Sequence, residues 1–243
     1  NFLFANGKSN NLSYKVTLNR NSTDQPIYPR SGSDMTFSVQ LTPPYSAFRS
    51  ADTDYKNMTD KEKYKWIEYH KWTFKSDVYT KIIGDLVLRT SANFGYLGYY
   101  NKDLGYSPFE GFQLGGDGMS GYNTYGSDII GLRGYSNYSL TPIEGNAYAG
   151  RVYDKFTVEL RHPVIMQPQS TIYAMLFLEA GNCWKDIKDF NPFEVKRSAG
   201  IGLRVMLPIV GMLGIDWGYG FDPVPNEKNK KGGSQFHFVI GQQ

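Results

Sequence analysis

Apolar and polar positions alternate along most of the chain. From Met212 to Phe221, Leu213, Ile215, Trp217, Tyr219 and Phe221 alternate with Met212, Gly214, Asp216, Gly218 and Gly220. One side of that segment is apolar and aromatic; the other is mostly glycine with one carboxylate. Just upstream, Ala199, Ile201, Leu203, Val205 and Leu207 interleave with Ser198, Gly200, Gly202, Arg204 and Met206. The closing run sets Phe236, Phe238 and Ile240 opposite His237, Val239 and Gly241. A period of two separates side chains onto the two faces of a strand, whereas a helix would scatter them. The same test predicts nine strands, at 10–19, 34–42, 70–80, 85–99, 147–162, 171–183, 196–207, 212–221 and 234–242. A short helix is expected within Asp60–Trp66, and no long one. All 12 prolines fall outside these strands or at their ends, as residues that cannot donate to a ladder should.

The connections differ in length. Ile82–Gly84, Pro163–Ser170 and Pro208–Gly211 are short, while 43–69, 101–146, 182–195 and 222–233 are long and polar. The connection from Arg20 to Ser33 breaks the alternation, being longer than a tight turn. Short turns at one end and long loops at the other describe an outer-membrane barrel. The polar faces carry Lys75, Asp77, Arg89, Glu159, Arg161, Glu179, Arg204 and Asp216, charges suited to a wet lumen and costly toward lipid. Trp72, Phe74, Trp217, Tyr219 and Phe221, outward near strand ends, suit aromatic girdles. A soluble sandwich burying its apolar faces against each other is the alternative. Nine is an odd number, and single-chain bacterial barrels have even ones. The expectation is therefore part of a larger all-β transmembrane antiparallel barrel, with strands missing on the N-terminal side.

Composition narrows the choice. The 243 residues carry a net charge of +3, which gives no reason to expect a nucleic-acid partner. Aromatics make up 16% of the chain, so it is no disordered tail. The single Cys183 excludes a disulfide scaffold and a cysteine zinc site. The longest apolar run, Ile172–Leu178, is far shorter than the ~20 residues of a membrane helix. The mean hydropathy of −0.45 fits a soluble protein and equally a barrel, whose strands average to neutral. Asn1 opens an ordinary polar and apolar mixture, so no leader is expected within the chain.

Five stretches resemble one family. Phe112-Gln-Leu-Gly-Gly116 followed by Gly131-Leu-Arg-Gly-Tyr135 resembles the sixth-loop signature of BamA-type outer-membrane protein assembly factors, the bacterial surface antigen family. Tyr28-Pro-Arg-Ser-Gly32 resembles their periplasmic turn. Glu159-Leu-Arg-His-Pro163 and Phe177-Leu-Glu-Ala-Gly181 resemble the next two strand motifs. Arg197–Arg204 with Pro208 and Gly211 resembles the penultimate hairpin, and Phe236-His-Phe-Val-Ile-Gly241 the closing strand. Singly each is weak, but they run in family order over nearly the whole chain.

The resemblance implies that residues 1–243 are the last nine strands of a sixteen-stranded barrel, without the POTRA domains and the first seven strands. The segment at about 101–146 would be the sixth loop. It also implies that this loop folds into the lumen, with Arg133, Gly134 and Tyr135 as its motif and Glu159 and Glu179 as carboxylate partners. Parity independently sets both carboxylates on the polar face. A guanidinium can fork two acceptors where an ammonium cannot. A loop arginine exposed to solvent is the plainer alternative. Phe236, Phe238, Ile240 and Gly241 would lie on the seam strand, with Gly241 a kink or a plain gap. The family's closing aromatic is missing after Gln243, which points to truncation.

The function so implied is that of an insertase folding β-barrel proteins into the outer membrane of a diderm bacterium. Its partners would be nascent barrel proteins, accessory outer-membrane lipoproteins and the bilayer, without catalytic residues, metal or cofactor. A two-partner-secretion transporter of the same family is the alternative, and a hydrolase-fused relative, a passive porin and a carbohydrate-binding sandwich stay open. Gly116-Asp-Gly-Met-Ser-Gly121 matches a dinucleotide fingerprint but lacks the preceding strand and following helix. His70, His162 and His237 have no metal-ligand spacing, and nothing resembles a nucleophile elbow. Sequons at Asn11, Asn21, Asn57 and Asn137 mean little in a bacterial protein. The insertion Asp52–Lys65 suits a partner surface, the run Asn226–Lys231 a solvated loop tip, and Cys183 looks incidental.

Overall fold

The computed structural model describes residues 8–50, 53–55, 57–119, 126–167, 170–207, 211–225 and 231–241. Asn1, Asp52, Gly121, Pro168, Pro208, most of Asn226–Lys231 and Gln243 lie outside them.

Nine strands form one sheet in chain order: β1 (Tyr14–Asn21), β2 (Gly32–Leu41), β3 (His70–Ile83), β4 (Leu86–Gly98), β9 (Val152–Gln167), β10 (Ser170–Trp184), β11 (Lys196–Leu207), β12 (Gly211–Pro223) and β13 (Lys231–Ile240). Every neighbouring pair is antiparallel. Between β4 and β9 the chain leaves the sheet for the long loop. There β5 (Glu110–Leu114) pairs in parallel with β6 (Gly126–Ile130), and β7 (Ile143–Glu144) with β8 (Ala147–Tyr148). The helix is one turn, α1 (Asp60–Lys63), shorter than the span expected for it.

The sheet is built inside out for a soluble protein. Its charged face is buried: Glu159, Glu179, Arg204, Asp216 and His237 are all at most 5% exposed. Its apolar face is bare: Leu176, Leu178, Ile201, Phe236, Phe238 and Ile240 are 53–69% exposed. No second sheet covers that face among the described residues. Burying charge while baring phenylalanine is unfavourable in water and favourable in hydrocarbon. The sandwich alternative is thereby excluded.

Two ends of the lumen side carry small apolar cores. The long loop brings Phe112, Leu114, Leu132, Tyr135 and Leu140 against Tyr69, Leu97 and Tyr153 of the wall. At the other end, the β1–β2 connection folds under the sheet. Its Tyr28 is 1% exposed and packs edge-on against Tyr173, with ring centroids 5.2 Å apart. The Tyr28 hydroxyl lies 2.9 Å from the carbonyl of Arg161 and 3.0 Å from that of Asp85, and Arg30 pairs with Asp85 at 3.1 Å. This explains why the connection exceeds a tight turn.

Several expected boundaries shift. The strand expected at 147–162 splits. Ala147–Tyr148 turns back on Ile143–Glu144 about Gly145, and the wall strand starts at Val152. That strand then runs through Pro163 to Gln167 instead of ending before the proline. Proline is accommodated by an irregularity: Tyr173 pairs with Pro163 but Ile172 pairs with Ile165, leaving Val164 as an extra residue. The first strand starts at Tyr14 rather than residue 10, because Asn10 bridges to Trp66 and donates to the Lys65 carbonyl at 3.0 Å. The last strand ends at Ile240. Gly241, expected within it, lies beyond it with φ +92°, its N–H donating to the Met212 carbonyl at 2.8 Å.

Candidate functional site

The site forms where the long loop crosses the charged face. Arg133 lies just past β6 and is 5% exposed. Its Nη2 donates to Glu159 Oε1 and to Glu179 Oε1, each at 2.8 Å. Nη1 donates to Asp216 Oδ2 at 3.2 Å, and the backbone N–H of Arg133 to Glu179 Oε2 at 2.8 Å. The ring of Phe177 lies across the guanidinium, 3.6 Å from its carbon to the ring centroid. The loop arginine thus reaches β9, β10 and β12 at once.

Each carboxylate has a second cation. Glu159 also takes Arg89 at 3.0 Å, together with Arg161. Glu179 takes Lys155 at 3.0 Å. Asp216 receives both Nη1 and Nη2 of Arg204, at 2.6 and 2.8 Å. Arg89 goes on to Asp77 at 2.7 Å, so the lattice continues into β3. Isolated buried charges would be prohibitively costly; paired and forked ones can be held. Burial opposes the charge on Arg133, but Glu179, Glu159 and Asp216 outweigh it and lift its pKa above the ordinary arginine value. The clamp therefore carries its positive charge at every physiological pH.

Gly134 and Tyr135 continue the contact onto the last hairpin. Gly134 has φ +86°, a conformation that favours glycine. Its N–H donates to Nε2 of His237 on β13 at 3.0 Å. A Cβ on Gly134 would stand 2.7 Å from the nitrogen of Gly220 and 2.8 Å from the carbonyl carbon of Tyr219. The Tyr135 hydroxyl donates to the Arg197 carbonyl at 2.8 Å and accepts from the Asp222 N–H at 3.2 Å. Burial pushes its phenol up to about 12.

Of the residues singled out from sequence, Arg133, Gly134, Tyr135, Glu159 and Glu179 come together here. Phe236, Phe238 and Ile240 do not: they stand on the outer face of β13, away from the clamp. Asp216 as third acceptor, His237 and Phe177 were missed as parts of the site. The parity that marked Glu159 and Glu179 also set Asp216 and His237 on the lumen face, so it could have found them. Among the described residues, no group of three or more His, Cys, Asp or Glu is arranged to hold a metal ion.

The sequence profile of the Omp85 superfamily domain matches residues 3–243. The chain belongs to the Omp85 superfamily. No curated protein sequence matches it. Among solved structures, this Omp85 chain is similar to the crystal structure of BamA from Haemophilus ducreyi lacking POTRA domains 1–3. The TM-score is 0.61 at 18% identity, over 93% of this chain and 41% of that one. The chain therefore spans less than half the length of that structure, and at this identity the likeness is one of fold. Nine antiparallel strands with an apolar outer face, in this family, are part of a bacterial outer-membrane β-barrel.

Proposed function

We propose that this Omp85 chain is the C-terminal part of an insertase that folds and inserts β-barrel proteins into the outer membrane. In this reading the edge of β13 forms a lateral seam where a client strand adds. Unpaired backbone N–H and C=O groups cannot be satisfied by lipid, so such an edge attracts a strand that supplies them. The work is non-enzymatic: burial of lipid-facing apolar area and pairing of backbone groups drive it, without nucleotide. Its partners are nascent barrel proteins, the bilayer and accessory outer-membrane lipoproteins.

The observation that supports this reading over a secretion transporter is that the charged face of the sheet is already covered. The Arg133 lattice lies across that face and the Tyr28 segment packs beneath one end of it. A polypeptide threading along this face would displace both, whereas a strand joining the edge of β13 disturbs neither. Depletion of the full-length protein in cells tests the choice. An insertase loses many barrel proteins from the outer membrane; a transporter loses one exported substrate. Cysteines at Phe238 or Ile240 should crosslink to a stalled client in the intact protein, and crosslinks confined to β2–β4 would reject the seam.

A further inference from the structure

The lumen face of the last hairpin is bare where the loop crosses it. Gly218 and Gly220 on β12 and Gly232 on β13 line that crossing. A Cβ on Gly218 would stand 2.7 Å from the nitrogen of Gly134. One on Gly220 would strike the Gly134 carbonyl, and one on Gly232 would strike that oxygen and the Tyr135 ring. The three glycines thus form a seat for the backbone of Gly134–Tyr135 spanning both strands. The bare face predicted from the glycine run of β12 is where the loop lies.

One side chain in this seat makes a directed bond. His237 is 5% exposed and accepts the Gly134 N–H through Nε2 at 3.0 Å. To accept there, the imidazole holds its proton on Nδ1. Asp216, its register partner on β12, is engaged by Arg204 and Arg133. The bond therefore links β13 to a loop that Arg133 anchors on β9, β10 and β12.

We propose that His237 is a positioning residue, a latch by which the loop's Gly134 amide holds the last strand in place. When it is made, β13 is fixed from the lumen side as well as through its ladder with β12. When it is broken, β13 keeps that ladder and the packing of Gly232 against Gly134 and Tyr135, and its terminal edge beyond that contact loosens while the Arg133 clamp stays intact. The proposal takes up the reading of β13 as the seam strand, but the latch itself is a statement about β13 and Gly134.

The test uses the full-length protein in lipid vesicles and reads amide hydrogen exchange by peptide, without any client. His237→Ala removes the acceptor. His237→Gln keeps an acceptor at a similar reach and cannot titrate. The expected result is that His237→Ala speeds exchange about tenfold in peptides covering 231–241, the factor one hydrogen bond controls. Peptides of β9 and β10 stay unchanged, and His237→Gln returns exchange to within about twofold of the parent. Should His237→Ala not fold, His237→Asn, whose amide sits one carbon too short, takes its place. Unchanged exchange in 231–241, a rise spread over all strands, or failure of Gln to rescue would each overturn the latch. Failure of client crosslinking with the exchange pattern intact would overturn the insertase reading and leave the latch standing.

Discussion

Arg133 is one residue asked to satisfy three carboxylates, and geometry explains why it is arginine. Its planar fork reaches Glu159 and Glu179 from one nitrogen and Asp216 from the other. A lysine offers a point charge on a flexible stem and cannot span the three. Arg133→Ala should cost about 3 kcal/mol, as removal of one partner from a buried ion pair does. The measurement is the temperature at which the folded, fast-migrating band of the full-length protein is lost on gels. Arg133→Lys should recover less than half of the loss; full recovery would reduce the clamp to plain charge balance. At the exposed rim of the loop, Glu144 accepts from Arg151 at 2.8 Å, and that bond holds its carboxyl below the usual range. A depressed carboxyl contributes above its unfolded pKa and loses that contribution as pH falls through the folded one. The β7–β8 hairpin should therefore loosen only in acid, and Glu144→Gln should remove that acid step from its exchange profile.

At the scale of elements, the decisive contact is between the loop and the β12–β13 hairpin. Gly218→Ala inserts a methyl 2.7 Å from the Gly134 nitrogen while leaving the ladder with β11 and β13 untouched. It should lower the heat resistance of the folded band as Arg133→Ala does, and the two changes together should cost little more than either alone. Additive losses would mean that the glycine and the arginine act separately. Strands were the part most readable in the sequence, because one period of two runs through each. The exceptions have physical causes. Pro163 reads as a strand end, yet a bulge at Val164 absorbs it. Ala147 and Tyr148 continue an alternating run, yet Gly145 with φ +61° folds them into a separate hairpin. The parallel pairing of β5 with β6 had no signal, since it depends on where the loop lies in the lumen.

For the whole molecule, the medium on each side decides the architecture. The lumen carboxylates Glu159 and Glu179 were readable from parity, and Arg133 as their partner came from the family resemblance. Asp216 and His237 were set on the same face by parity, but which lumen-facing residues the loop touches depends on its path across the sheet, so parity made them candidates without singling them out. The outer face gives a direct test. Leu203 stands outward on β11, 39% exposed, one residue from the lumen-facing Arg204. Leu203→Arg should cost about 2–4 kcal/mol if it lies near the bilayer midplane. The check is a shift of the urea midpoint for folding of the full-length protein into liposomes, and no shift would place that side chain in water.

The Tyr28 segment has one more consequence, for the cell rather than for the protein. A barrel assembled in the outer membrane is a hole in a permeability barrier unless something stoppers it. Tyr28 is held by backbone carbonyls of Asp85 and Arg161, groups that side-chain substitution cannot remove. Cells carrying Tyr28→Gly should accordingly become sensitive to large antibiotics that the envelope normally keeps out, even where the protein itself reaches the outer membrane at its usual level.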